Sequence, residues 1–182
     1  RSGLVEVFSG VAGLTAAVRR QGGDANIIQG EFTTVFDITI MDHFQKVKKM
    51  IRQKRVRWLH GAPPCRTFLR ARKRDRYCRT RILRSTLHPE GIAPTKDVKN
   101  ANMIAERFAK LCRAQHRAGG WFSLEDPEKS LIWEFTPVES LERILGVVRF
   151  SGDQCALGGC YKKGTSWMSN ASWFDVVAFR CP

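Results

Sequence analysis

Short apolar runs alternate with amphipathic stretches from the start of the chain. Leu4-Val5-Glu6-Val7-Phe8 reads as a buried strand, and Ser9-Gly10-Val11-Ala12-Gly13 turns it into an alanine-rich helix from about Leu14 to Arg20. Gln21-Gly22-Gly23-Asp24 closes that helix, and residues 25–31, ending in Glu31, form a second strand. A helix from about Asp42 to Arg55 carries Phe44, Val47, Met50 and Ile51 at helical spacing, with lysines on its wet side. Val56-Arg57-Trp58-Leu59 is the next strand. Asp97 N-caps a long helix through about Arg117, in which Val98, Ala101, Ile104, Ala105, Phe108, Leu111 and Cys112 share one face, and Gly119-Gly120 ends it. Trp121-Phe122-Ser123-Leu124 is a fourth buried strand, stopped by Glu125-Asp126-Pro127. Short helical pieces around Leu131 and Leu141 lead to a strand at residues 147–150. Residues 153–170 then form a hairpin-like pair whose turn carries Lys162 and Lys163.

Strand, helix, strand, helix, strand is the order that builds a mostly parallel sheet flanked by helices, an α/β fold whose ligands collect at the carboxyl ends of the strands. Four features fall at such ends. The first is the glycine turn at Gly10 and Gly13, where small residues let a ligand approach the backbone and a new helix begins. The second is Glu31, 21 residues beyond Gly10, placed where doubly wound sheets offer an acid to ribose hydroxyls. The third is Cys65, held behind Pro63 and Pro64. The fourth is the acid pair Glu125-Asp126.

Composition adds a partner. Lys and Arg number 31 against 17 Asp and Glu, a formal charge of +14, which favours a polyanion. Nine of the cations fall between Arg66 and Arg84, against the single acid Asp75, so this loop has little to bury and much to offer phosphates. No apolar run approaches the ~20 residues of a membrane span, and no long amphipathic basic helix or lipidation signal supports a membrane surface. The 182 residues suffice for a single domain with one core. The six cysteines are scattered through a domain that can stand without staples, so the expected compartment is intracellular and reducing, the nucleus in a eukaryote. Cys155 and Cys160, with Cys181 further on, could be part of a zinc site, but their spacing is not that of a standard ribbon and no fourth ligand is evident, so no metal is assigned.

With these residues in place, the chain resembles the cytosine-C5 DNA methyltransferase family. Phe8-Ser9-Gly10-Val11-Ala12-Gly13 is similar to its Phe-x-Gly-x-Gly-Gly motif, with Ala12 for one glycine. Pro63-Pro64-Cys65-Arg66-Thr67-Phe68-Leu69 is similar to its Pro-Cys nucleophile motif, with Leu69 where a serine is usual. Glu125-Asp126-Pro127 is similar to its Glu-Asn-Pro or Glu-Asn-Val motif, with Asp126 for the asparagine that helps hold the nucleophile loop. The resemblance covers roughly residues 4–170 and implies a Rossmann-like, S-adenosylmethionine-dependent fold. It also implies Cys65 as the thiolate that adds to cytosine C6 and Glu125 as the acid at the Watson–Crick edge of a flipped base. S-adenosylmethionine would be held by Phe8, Gly10, Gly13, Glu31, Asp37 and Pro63. DNA would meet Arg66, Arg70, Arg72, Lys73, Arg74, Lys162, Lys163 and Thr165, and the basic segment through Arg84 would hold phosphates.

The family's target-recognition region and last motifs find no counterpart in these residues, so the chain is expected to be a fragment of a longer protein. Two function classes remain open: a methyltransferase domain acting on DNA, with RNA not excluded, and a non-catalytic nucleic-acid-binding module that keeps the fold. A nucleotide-dependent enzyme of another class rests on the glycine turn alone and explains neither Cys65 nor the charge. The oligomeric state has no signature in the sequence.

Overall fold

The computed structural model describes residues 2–8, 13–29, 36–69, 82–160 and 162–182. Strands β1 (Ser2–Val7), β2 (Ala25–Gln29), β3 (Val56–Gly61) and β4 (Trp121–Pro127) alternate with helices α1 (Gly13–Arg20), α2 (Met41–Arg52) and α3 (Lys96–Arg117). A short helix α4 (Thr136–Glu139) leads to β5 (Val148–Asp153) and β6 (Gly164–Ser169), and single 3-10 turns follow β4, β5 and β6. These make one six-stranded sheet in the order β2-β1-β3-β4-β6-β5. Pairs β1–β2, β1–β3 and β3–β4 are parallel, while β6 runs antiparallel between β4 and β5. The expected mostly parallel, helix-flanked α/β sheet is therefore the observed architecture.

Among the boundaries that differ from the sequence expectation, two have a clear local or tertiary reason. β4 continues through Glu125-Asp126-Pro127, because β6 pairs with those residues through Trp167, Ser166 and Thr165. A proline at the last strand position is tolerated, so it ends β4 three residues later than expected. The N-cap of α3 is Thr95, whose hydroxyl accepts the Val98 N–H at 3.3 Å, and Asp97 falls in the first turn, where it still complements the helix dipole.

One sheet face presents Val5, Val7, Leu59, Phe122, Leu124 and Met168 to the apolar stripes of α2 and α3, which supply Phe44, Val47, Ile51, Ala105, Phe108 and Leu111. The match of period-2 strands to period-3.6 helices builds this core. Gly61 is required by it, since a Cβ there would stand 2.3 Å from the Phe108 ring. The opposite face carries a smaller cluster of Trp167, Ala171 and Phe174 with Trp58 and Phe150 packed on it. Beside this cluster Ser123 Oγ accepts the Trp58 indole N–H at 2.9 Å and lies 2.7 Å from His60 Nδ1. Burial lowers His60 to about 4, so its ring is neutral and structural. The last turn of α2 closes on Lys54, a non-glycine residue at φ 53. An L-residue in that conformation costs about 1 kcal/mol relative to glycine.

Candidate active site

The connection that leaves β1 runs to β2 on one side, and the connection that leaves β3 runs to β4 on the other. Such a divergence opens a crevice at the carboxyl ends of the two central strands. Here the crevice is floored by β1 and β3, tied where the Ala62 N–H donates to the Val7 carbonyl at 3.3 Å. Phe8 stands at the end of β1 at φ 59, with its ring 6.0 Å from that of Phe108. An aromatic residue is a genuine outlier in that region, and such strain concentrates at ligand-holding turns. Gly13 opens α1 with nothing within 4 Å of where a Cβ would stand, and Pro63 is buried at the end of β3. Gly10 and Glu31 lie outside the described residues.

Two features of this crevice are shaped by the neighbours. The Thr15 N–H, in the first turn of α1, and the Thr15 hydroxyl both donate to Glu6 Oε2, at 2.9 and 2.5 Å. A protein carboxylate thus already takes part of the anion-binding capacity of that helix end. Asp37 builds a turn into α2: its Oδ1 accepts the Thr39 N–H at 2.8 Å and its own N–H donates to His43 Nδ1 at 3.1 Å. One carboxylate oxygen thereby shapes the chain ahead of α2.

Cys65 follows β3 by way of the two prolines and is half-buried. Its carbonyl accepts from the N–H groups of Phe68 (2.7 Å) and Leu69 (3.1 Å), so one tight turn begins at the cysteine. The Phe68 carbonyl in turn accepts the Leu131 N–H at 2.9 Å, which ties this loop to the segment after β4. Burial first, then the Asp126 carboxyl, push the Cys65 thiol up; its own backbone N–H and Lys163 pull it down, and Glu125 adds a smaller upward push. Cys65, Asp126, Lys163 and Glu125 therefore share one electrostatic neighbourhood, brought together by the carboxyl ends of β3 and β4 and the start of β6.

Within it the two acids differ. Glu125 lies opposite Trp167 and is half-buried; burial raises its carboxyl, Lys163 opposes the rise, and Glu6 reinforces it. Asp126 is 3% exposed, has Ser130 as the neighbour that draws its carboxyl down, and leaves Oδ2 with no partner among the described residues. Burial raises Asp126 to about 8, so it carries a proton at neutral pH. Asp126 acts on Cys65 more strongly than Glu125 does, a ranking that spacing along the sequence does not contain.

The expected nucleic-acid contacts divide. Arg66 is exposed at the turn beside Cys65, and Arg70, Arg72, Lys73 and Arg74 lie outside the described residues. Lys163 belongs to the Cys65 neighbourhood, but Lys162 is turned away: its ammonium lies 3.9 Å from Asp153 and donates to the Cys181 carbonyl at 3.4 Å. Thr165 is fully buried within β6, with its hydroxyl 3.4 Å from the Lys163 carbonyl, so it supports the lysine turn and offers no surface to a nucleic acid. The correction at Arg84 is the largest. It is 3% exposed and donates to Thr67 O (3.2 Å), Thr67 Oγ1 (2.9 Å), Pro89 O (2.5 Å) and Asn102 Oδ1 (2.7 Å), with its guanidinium 3.7 Å above the Phe68 ring. Its task is to lock the turn behind Cys65.

Near the C-terminal end of the chain, the neighbouring Cys155 side chain raises the Cys181 thiol. Among the described residues no three His, Cys, Asp or Glu side chains converge as metal ligands.

This architecture is that of a Rossmann-like methyltransferase fold. The chain is similar to the crystal structure of the Dnmt2 methyltransferase of S. pombe, with a TM-score of 0.50 and 12% identity over 93% of this chain and 49% of that one. It is also similar to a Dnmt2 mutant from Spodoptera frugiperda, with a TM-score of 0.47 and 13% identity over 100% of this chain and 56% of that one. The chain thus spans about half the length of these two proteins. No family profile and no curated protein sequence matches it.

Proposed function

We propose that this chain is the catalytic portion of an S-adenosylmethionine-dependent cytosine-C5 methyltransferase acting on DNA. The observation that carries the reading is the single electrostatic neighbourhood of Cys65, Asp126, Lys163 and Glu125 beside the β1–β3 crevice. Phe8, Gly13 and Pro63, with Gly10 and Glu31, would hold S-adenosylmethionine. Two observations fit that assignment: the open space over Gly13 and the strained turn at Phe8. When bound, that cofactor supplies an electrophilic methyl group to a ring carbon made electron-rich by the protein.

The residues account for that activation. The Cys65 thiolate adds to cytosine C6, opening the C5–C6 double bond and pushing its electron pair through the ring toward N3. Glu125, whose carboxyl burial pushes up toward the protonated form, would donate a hydrogen bond or a proton to N3 as the charge arrives. Lys163 offsets negative charge in the same space. After methylation, loss of the C5 proton to a base expels the thiolate and restores the double bond. The target base has to leave the duplex for any of these groups to reach it, and Arg66 is exposed at the mouth to meet the backbone.

The test is a covalent trap. DNA carrying 5-fluorocytosine, incubated with the chain and S-adenosylmethionine, is expected to give an adduct stable to denaturing electrophoresis, because fluorine at C5 cannot leave as a proton. Cys65→Ser is expected to abolish it. Folded protein that binds the cofactor yet forms no adduct with DNA sinks the proposal, and an adduct with 5-fluorocytosine RNA alone would move the substrate to RNA. A second reading, a binding module without turnover, is favoured by the upward push on the Cys65 thiol. It requires salt-dependent nucleic-acid binding with no affinity for S-adenosylmethionine, which calorimetry measures.

A further inference from the structure

The end of the sheet where the strands begin, away from Cys65, carries a surface that the proposed reaction does not use. The carboxyl ends of α2 and α3 meet there with the first residues of β3 and β4. Two adjoining grooves of about 330 and 380 Å³ share Lys54 and Ala118 as lining. Lys48, Arg52 and Arg117 line the first, and Arg57 and Trp121 line the second. No acid lines either groove, and none of the five cations makes an ion pair among the described residues.

The floor is closely packed. A Cβ at Gly120 would stand 1.9 Å from Gln115 Nε2, and that same nitrogen donates to the Val56 and Arg57 carbonyls at 3.0 and 3.1 Å. The glycine lets α3 and β3 close together beneath the grooves, and the small lining residues Ala114, Ala118 and Gly119 leave room for a bulky anion. Lys54 holds its left-handed conformation where glycine is the usual residue, which places a cation at the junction of the two grooves. At the rim the Trp121 indole is 42% exposed and meets the 41% exposed Trp173 edge-on, with ring centroids 5.7 Å apart. Trp58 backs Trp173 at 5.4 Å, so the platform is rigid.

We infer that this surface is a binding site for single-stranded nucleic acid, separate from the Cys65 site. Its five cations track the phosphodiester backbone, and Trp121 stacks an unpaired base. Cations interleaved with exposed indoles distinguish a single strand from a duplex, because a paired base has no free face for the ring. The six-residue strand β3 separates it from the Cys65 end by roughly 20 Å, at ~3.3 Å per residue. The inference does not depend on the reaction at Cys65.

Fluorescence anisotropy of the full chain with labelled oligothymidylate, oligouridylate and a duplex of equal length tests it, each variant being checked for native circular dichroism. Lys54→Glu with Arg57→Glu is expected to weaken single-strand binding at least about tenfold and to flatten its salt dependence by roughly 0.7 in log–log slope for each phosphate no longer neutralised. Trp121→Ala is expected to weaken single-strand binding roughly tenfold while leaving duplex binding unchanged. Oligothymidylate and oligouridylate carry no cytosine, which separates this measurement from the covalent trap. Similar affinities for oligothymidylate and oligouridylate fit a stacking platform. Folded variants that bind single strands as the unmodified chain does overturn the inference, as does an equal loss on duplex and single strand for Trp121→Ala.

Discussion

Arg84 sits inside the molecule with no carboxylate in hydrogen-bonding contact among the described residues; its partners are carbonyls, a hydroxyl, an amide oxygen and the face of Phe68. Burial lowers it to about 10, so it stays charged at neutral pH. Arg84→Leu removes the charge and strands several acceptors at once. We expect a loss of about 2–4 kcal/mol in urea unfolding, together with changed alkylation of Cys65, whose turn it holds. Arg84→Lys should recover little, since a point ammonium cannot span these acceptors. A loss below about 0.5 kcal/mol would rule out this role. Asp126 gives a pH signature. Its folded value of about 8 stands above its ordinary 3.8, so the folded state holds the extra proton and stability falls as pH rises between those limits. His60 opposes this below its ordinary 6.5, because its folded value of about 4 makes stability rise with pH there. Between about pH 6.5 and 8, where His60 no longer titrates, urea titrations are therefore expected to show stability declining, and Asp126→Asn should flatten the decline. An equal decline in the variant would exclude Asp126 as its source.

At the scale of elements, α2 and α3 were legible because a 3.6-residue apolar period needs no partner to be read. The apolar face of α3 from Val98 to Cys112 is the stripe that packs, and Gly119-Gly120 follows directly where the helix stops. β4 was legible as a strand but not in its length, since the hydrogen bonds that carry it through Pro127 come from β6, about 40 residues further along the chain. The close approach of β3 to α3 was equally hidden. Gly61→Ala puts a methyl group into the Phe108 ring, and a loss of about 1–3 kcal/mol is expected. Phe108→Leu in the same chain should return part of it in a double-mutant cycle; strictly additive losses would place the strain elsewhere.

Across the whole molecule, the chain by itself determined three things: the alternation of strands and helices, the Pro-Pro-Cys and Glu-Asp-Pro motifs at strand ends, and an excess of positive charge. Each is a property of neighbouring residues or of composition, so each survives without coordinates. The fold decided what those residues face. It turned Arg84 inward and Lys162 toward Asp153, buried Thr165, gave Asp37 to a turn, and set Asp126 closer in effect to Cys65 than Glu125. It also gathered cations from α2, α3 and β3 around one indole at the far end of the sheet. Burial and Coulomb interaction depend on groups distant in sequence, brought near by the register of β3, β4 and β6. For that reason Cys65 could be picked out from the sequence, while the charge surrounding it emerged from the tertiary structure.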